Sequence, residues 1–226
     1  GQFCHIHSVR ESSTELVSLL RDALPDGMIR RVVIKPNWVI HETDPDFPIR
    51  ALVTSTALID AAIEACIQKY ASLESLLVAD VPIQSCDWPL LKKQAGIDRL
   101  EAKVKSLRRP RIEVRDLRMQ RVRVSDGYMT TDSASDDFGD PAGYSDVVLD
   151  QSSFLEAICQ EGTAFRVADY SPEETQSSHR RGSHRYRISK SLLDCDLFIN
   201  MPKLKTHQKA GMTGALKNLV GMNGNK

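Results

Sequence analysis

Three short aliphatic runs limit the architectures open to this chain: Val32-Val33-Ile34, Leu76-Leu77-Val78-Ala79 and Leu197-Phe198-Ile199. None alternates with polar residues. Each therefore reads as a strand with both faces covered, as in a parallel sheet. Residues 12–24 place Leu16, Val17, Leu19, Leu20 and Leu24 at helical spacing behind a Ser/Thr cluster that caps the first turn, and Pro25-Asp26-Gly27 ends the run. Residues 55–69 repeat the period through Leu58, Ile59, Ala62, Ile63 and Cys66. Strand 31–35, helix 55–69 and strand 75–80 make a βαβ unit, whose crossover is right-handed in nearly all known cases. The expected fold is α/β, a mostly parallel layered sheet with helices on both faces. Ligands in such folds collect at the carboxyl ends of the strands, here Lys35-Pro36-Asn37 and Asp80-Val81-Pro82.

The middle of the chain breaks this pattern. Residues 111–116, 121–124 and 145–149 read as strands, but residues 130–143 form a polar loop rich in Gly, Asp and Ser. Residues 171–187 are polar as well and read as a solvated loop leading into a strand. The expected organisation is one α/β domain over residues 1–226, with an inserted mixed lobe at about 105–185. No internal repeat or heptad pattern is visible.

Thirty Lys and Arg balance thirty Asp and Glu. A net charge of zero argues against a chain that coats nucleic acid, and no apolar run approaches the ~20 residues needed to cross a bilayer. Neither a nucleic-acid nor a membrane partner is expected. Five scattered cysteines without a Cys-x-x-Cys pair suit neither a disulfide framework nor a cysteine-only cluster, so a reducing, cytoplasmic setting is expected. Gly1 stands where a start Met would, leaving room for a removed leader. The glycine-rich end at Lys226 reads as an unfinished turn, so the natural protein is expected to continue.

The densest chemistry lies in residues 200–221, Asn-Met-Pro-Lys-Leu-Lys-Thr-His-Gln-Lys-Ala-Gly-Met-Thr-Gly-Ala-Leu-Lys-Asn-Leu-Val-Gly, with four lysines, one histidine and three glycines at a strand-to-helix junction. Lys203, Lys205, Lys209 and Lys217 supply charge, and Gly211 and Gly214 let backbone approach a ligand. The pattern suits an anion or phosphate. It also suits a solvated basic loop, and composition does not separate the two. No Walker A loop, Gly-x-Gly-x-x-Gly fingerprint or Gly-x-Ser-x-Gly elbow is present.

Lys217, flanked by Leu216, Leu219 and Val220, is a candidate desolvated and hence nucleophilic amine, and His207 a candidate proton exchanger. Lys35 and Asn37 would reach the same sheet edge. Asp80 suits either a cation ligand or a cap, and Cys86 a packed thiol more than a nucleophile. His5 and His7 share one strand face without further ligands. The basic run 179–187, with two histidines, four arginines and Tyr186, suits a solvated loop or a grip on phosphate, acidic polysaccharide or single strands.

Val33-Ile34-Lys35-Pro36-Asn37-Trp38 followed by residues 200–221 closely resembles the domain-of-unknown-function 362 family. In that family a Lys-Pro-Asn block follows the first strand, and Pro-Lys-x-Lys-x-His precedes Gly-x-Thr-Gly-x-x-Lys-Asn-x-x-Gly. The resemblance spans most of the chain and is weakest in the middle lobe. It implies an association with iron–sulfur modules and a ferredoxin-like partner, although this chain's own cysteines provide no cluster. A local resemblance to the lactate racemase family rests on His207 and Lys217, ten residues apart. There the lysine tethers a nickel-pincer nucleotide. The family's Gly-Gly-Arg-Lys is Gly214-Ala215-Leu216-Lys217 here, and a further histidine ligand would lie beyond Lys226.

Together these readings describe an α/β protein that binds an anionic small molecule or nucleotide-like cofactor. His207 and Lys217 are its candidate catalytic residues. Lys35, Asn37, Lys203, Lys205, Gly211, Thr213, Gly214 and Asn218 are the candidate binding residues, with no metal ligand assigned. The cofactor's identity is open. Two alternatives stand beside this reading: an isomerase, racemase-like or redox-linked enzyme with a lysine-tethered metal cofactor, and a polysaccharide- or nucleic-acid-binding module.

Overall fold

The computed structural model describes residues 13–125, 128–132, 138–159, 165, 172–207 and 210–224. Cys4, His5, His7 and Lys209 lie outside them. Eleven strands occur among the described residues: β1 (Arg31–Lys35), β2 (Ser75–Asp80), β3 (Arg111–Asp116), β4 (Arg121–Ser125), β5 (Tyr128–Asp132), β6 (Tyr144–Leu149), β7 (His179–Arg180), β8 (Ser183–Ser189), β9 (Leu197–Asn200), β10 (Lys205–His207) and β11 (Gly211–Thr213). The helices are α1 (Ser13–Ala23), α2 (Ile49–Leu52), α3 (Thr56–Lys69), α4 (Trp88–Ala95), α5 (Ile97–Lys105), α6 (Pro172–Ser178), α7 (Lys190–Leu193) and α8 (Ala215–Asn218).

The three aliphatic runs and β3 form one parallel sheet in the order β3-β2-β1-β9. Strand alternation sends Val32, Ile34, Leu76, Val78, Ile112 and Val114 to one face, where α1, α3, α4 and α5 cover them. Trp38 and Trp88 meet there at 5.6 Å between ring centroids. Val33, Leu77, Ala79 and Phe198 point to the other face and pack under α7 and the strands β6 and β8. The two faces are thus covered unequally, by long helices on one side and by a short helix plus an antiparallel sheet on the other. Asp196 ties the starts of β1 and β9 together by accepting the Arg30 and Arg31 N–H groups at 2.9 and 2.8 Å.

Helices α4 and α5 escaped the sequence reading although their signals are local. The Asp87 carboxylate accepts the Leu90 N–H at 2.9 Å as an N-cap, a proline opens the first turn, and Gly96 at φ 71° joins the two helices. Trp88, Leu91, Ile97, Leu100 and Val104 form their buried stripe.

The middle lobe contains the β4–β5 hairpin and the antiparallel sheet β6-β8-β7. The solvated loop expected over residues 171–187 is corrected to α6, β7 and the first part of β8, the part from residue 172 on being described. Polar composition misled there because β8 buries polar side chains with partners. His184, fully buried, faces Glu156 at 3.3 Å and stacks on His179, and on the solvent side Arg187 clasps Asp146 at 2.6 and 2.9 Å. Burial lowers the His179 pKa, and His184 adds to the effect.

Candidate functional site

The carboxyl edge of the sheet is built on a buried ion pair. Lys35 closes β1 and Asp80 closes β2, both nearly inaccessible, with the ammonium 2.6 Å from Asp80 Oδ1. Asp80 also accepts the Trp38 and Val81 N–H groups at 2.6 and 2.8 Å, so both carboxylate oxygens are held. Lys35 Nζ donates further to the Pro36 carbonyl at 3.1 Å and to Asn218 Oδ1 at 3.3 Å. A charge pair this deep needs its extra hydrogen bonds to offset desolvation.

Asn218 joins the two sequence blocks. Its amide donates to the Lys35 and Pro36 carbonyls, both at 3.3 Å, and to Asn200 Oδ1 at 2.7 Å. Asn200 stands opposite Lys35 in the β1–β9 register and donates to the Ala215 carbonyl at 2.9 Å. Gly221 then lies against the pair. A Cβ there would come 2.3 Å from Asp80 Oδ1 and 2.7 Å from Lys35 Nζ, so a side chain at this position collides with the ion pair.

Asn37 and Lys205 meet at one carbonyl. Leu52, the last residue of α2, leaves its C=O without a helical partner, and it accepts Lys205 Nζ at 2.5 Å and Asn37 Nδ2 at 3.3 Å. The Thr54 hydroxyl accepts the Asn37 N–H and donates to the Met201 carbonyl, at 2.8 and 2.7 Å. Lys35, Asn37, Lys205 and Asn218 are therefore brought together at one edge, with Lys35, Asn37 and Asn218 buried as its floor.

Above the floor lies a hairpin where a plain loop was expected. Strands β10 and β11 pair Lys205 with Thr213 and His207 with Gly211. Opposite residues of an antiparallel pair share a face. Lys205, His207 and Thr213 thus face one way and are at least half-buried, while Thr206 and Met212 face solvent. Gly211 has φ +70°, the left-handed region that favours glycine, and Gly214 sits in open space with extended backbone. The His207 ring accepts the Ala210 N–H at Nδ1, 3.1 Å.

Charge on this face is one-sided. Burial first, then the neighbouring ammoniums of Lys217 and Lys203, lower the Lys205 pKa to about 8 against an opposing pull from Asp80. Lys203, Lys205 and Lys217 therefore share one electrostatic neighbourhood. The Thr213 hydroxyl, 4% exposed, has no hydrogen-bond partner among the described residues. Lys217 is half-buried, although its apolar neighbours Leu216, Leu219 and Val220 are exposed. Lys205 is a partly desolvated amine at this edge, beside the fully buried, ion-paired Lys35. One further signal was readable and overlooked: residues 197–226 contain five lysines and no acidic residue in a chain of zero net charge.

A second buried network supports β3. Arg118 binds Asp116 through Nε and Nη2, the closest contact 2.6 Å, and donates to the Ile83 and Gln84 carbonyls at 3.0 and 3.1 Å. Arg121 adds a 3.0 Å bond to Asp116. Burial pushes the Cys86 thiol up to about 12, consistent with a packed role. No group of three or more His, Cys, Asp or Glu side chains is placed to hold a metal among the described residues. Nor is any described helix long and apolar enough to cross a membrane.

Comparison with known proteins agrees with the second of the two residue blocks, residues 200–221. A thylakoid-associated protein of Synechocystis sp. (strain ATCC 27184 / PCC 6803 / Kazusa) is 36% identical over 67 residues, 30% of this chain and 19% of the relative. That similarity thus spans about a fifth of the relative's length. No solved structure matches. The family model described as Domain of unknown function (DUF362) matches residues 130–226, which takes in part of the middle lobe and leaves out the Lys35-Pro36-Asn37 block. Over residues 130–226 the chain is thus similar to that family.

Proposed function

We propose that this α/β protein binds an anionic small molecule on the hairpin face of Lys203, Lys205, His207 and Thr213, with Lys217 beside it. One observation carries the reading. The Thr213 hydroxyl is buried, unpartnered among the described residues, and opposite a lysine crowded by two more. An orphaned buried hydroxyl and mutually repelling ammoniums are both costly, and a bound oxyanion relieves both. Lys203 and Lys217 supply charge, His207 exchanges protons, and Gly211 and Gly214 leave the backbone approachable. Lys35, Asn37 and Asn218 hold the floor in place.

Calorimetric titration with inorganic phosphate and pyrophosphate at low salt tests this. Binding is expected, weakened about tenfold or more in Lys217→Ala and Thr213→Val with unchanged circular dichroism, since a charge-assisted bond contributes about 1.5–3 kcal/mol. Absence of binding, or equal binding in both variants, refutes the reading.

A second reading has its own observation. Leu204, Met212, Leu216 and Val220 are 70, 60, 85 and 52% exposed around these lysines, a patch that suits a larger anionic partner such as a polysaccharide. Salt-sensitive binding of an acidic polysaccharide that survives Lys217→Ala and falls in Leu216→Ser favours it.

A further inference from the structure

We propose that Lys205 is the reactive amine of this site and forms an imine with the carbonyl carbon of an anionic aldehyde or ketone, such as a phosphorylated aldehyde or a 2-oxo acid. The inference rests on the anion-binding reading of the same face and adds a covalent step to it.

Three placements carry it. The amine is pinned rather than free, because the Leu52 carbonyl that holds it is itself fixed by Asn37. A carbonyl acceptor serves either protonation state, since the neutral amine keeps two N–H bonds. Thr213, directly across the hairpin, offers a hydroxyl that no described residue engages, able to give and take a proton. Lys203 and Lys217 flank the amine with charges suited to a phosphate or carboxylate on the same molecule. A lysine crowded by other cations and partly withdrawn from water is the arrangement that activates an amine.

The step balances. The neutral Nζ lone pair attacks the carbonyl carbon as the C=O π pair moves to oxygen. That oxygen takes a proton, by way of the Thr213 hydroxyl, and nitrogen loses one to give a neutral carbinolamine. Protonation of the carbinolamine hydroxyl lets it leave as water, and the nitrogen lone pair forms the C=N bond. Nothing is oxidised or reduced. At about pH 7.5, an amine titrating near 8 is roughly a quarter neutral, against about a thousandth for an ordinary lysine. Lower intrinsic nucleophilicity takes back part of this gain, leaving about a tenfold advantage in rate.

The test uses the whole chain with pyridoxal 5′-phosphate, and 5′-deoxypyridoxal, which cannot close to a hemiacetal, as the matched aldehyde without phosphate. Borohydride trapping reduces the imine to a secondary amine, and peptide mass spectrometry locates it. Lys205 is expected to take label about tenfold faster than Lys203 or Lys217, with a half-maximal rate near pH 8, and faster with the phosphorylated aldehyde. Lys205→Arg, which keeps the charge, is expected to bind inorganic phosphate and lose the label. Label spread evenly over the lysines, or led by Lys217, overturns the proposal whether or not phosphate binds. Equal labelling of Lys205 by both aldehydes overturns the anionic substrate class, and phosphate calorimetry then reports separately on anion binding.

Discussion

Replacing Gly221 by alanine adds one methyl group where the structure has no room for it. The new carbon would stand 2.3 Å from Asp80 Oδ1, 2.7 Å from Lys35 Nζ and 3.1 Å from Lys35 Cε. Ordinary contact requires about a further ångström. Asp80 has little freedom to retreat, because its two oxygens are held by the Trp38 and Val81 N–H groups as well as by Lys35. Either the ion pair opens or the 219–222 turn moves away and takes Asn218 with it. Overpacking alone costs about 1–3 kcal/mol, and breaking a buried pair about 3–5 kcal/mol. A loss near 3 kcal/mol is expected. With a urea m-value of about 2–3 kcal/mol/M, the midpoint falls by about 1 M at unchanged m. Gly214→Ala is the internal control, since a Cβ there meets nothing, and it is expected to stay within about 0.5 kcal/mol. A Gly221→Ala midpoint equal to that of the control refutes the view that the ion pair packs on this glycine.

Arg118→Ala strands the fully buried Asp116 carboxylate with, among the described residues, Arg121 alone paired to it, and is expected to cost about 3–5 kcal/mol in the same urea assay; a loss below about 1 kcal/mol contradicts the network. Lys205 also sets a pH dependence. Its folded pKa is lowered, so from about 8 to its ordinary 10.5 the unfolded chain holds more protons than the folded one, and this group's contribution to stability rises with pH across that window. Cys66 and Cys86, both pushed up to about 12 by burial, act in the opposite direction above their ordinary range. The wild-type minus Lys205→Met difference is therefore the quantity to measure, and a difference that is flat between pH 8 and 10.5 refutes the assignment.

The parallel sheet was readable because β1 and β2 are covered on both faces, β9 is partly buried along its length, and none of the three alternates with polar residues, and α1 and α3 because their apolar periods are long. The lobe was legible only in part: β4 and β6 were read as strands, but α6, β7 and the start of β8 were not, since β8 buries His184 and Ser189, residue types that mark loops when solvated. Lys35 shows the same limit at the edge. Its place at a strand end was legible, but its partner Asp80 is 45 residues away, and only the β1–β2 register reveals the pair. The hairpin was missed because β10 and β11 have three residues each, too few for a period-2 signal. That burial would reach Lys205 was not legible either. It depends on the Leu52 carbonyl, 153 residues upstream of Lys205, and on which way Leu216 and Val220 point.

The central claim is that three lysines crowd one half-buried face and await an anion. The 13Cε shifts of the lysines, followed against pH with and without inorganic phosphate, address it directly, with Lys205→Arg assigning the resonance. Lys205 is expected to titrate near 8 in the free protein and to move upward toward 10.5 when phosphate is added, because a bound anion favours the ammonium. A Lys205 resonance that titrates with the ordinary lysines and ignores phosphate contradicts the claim.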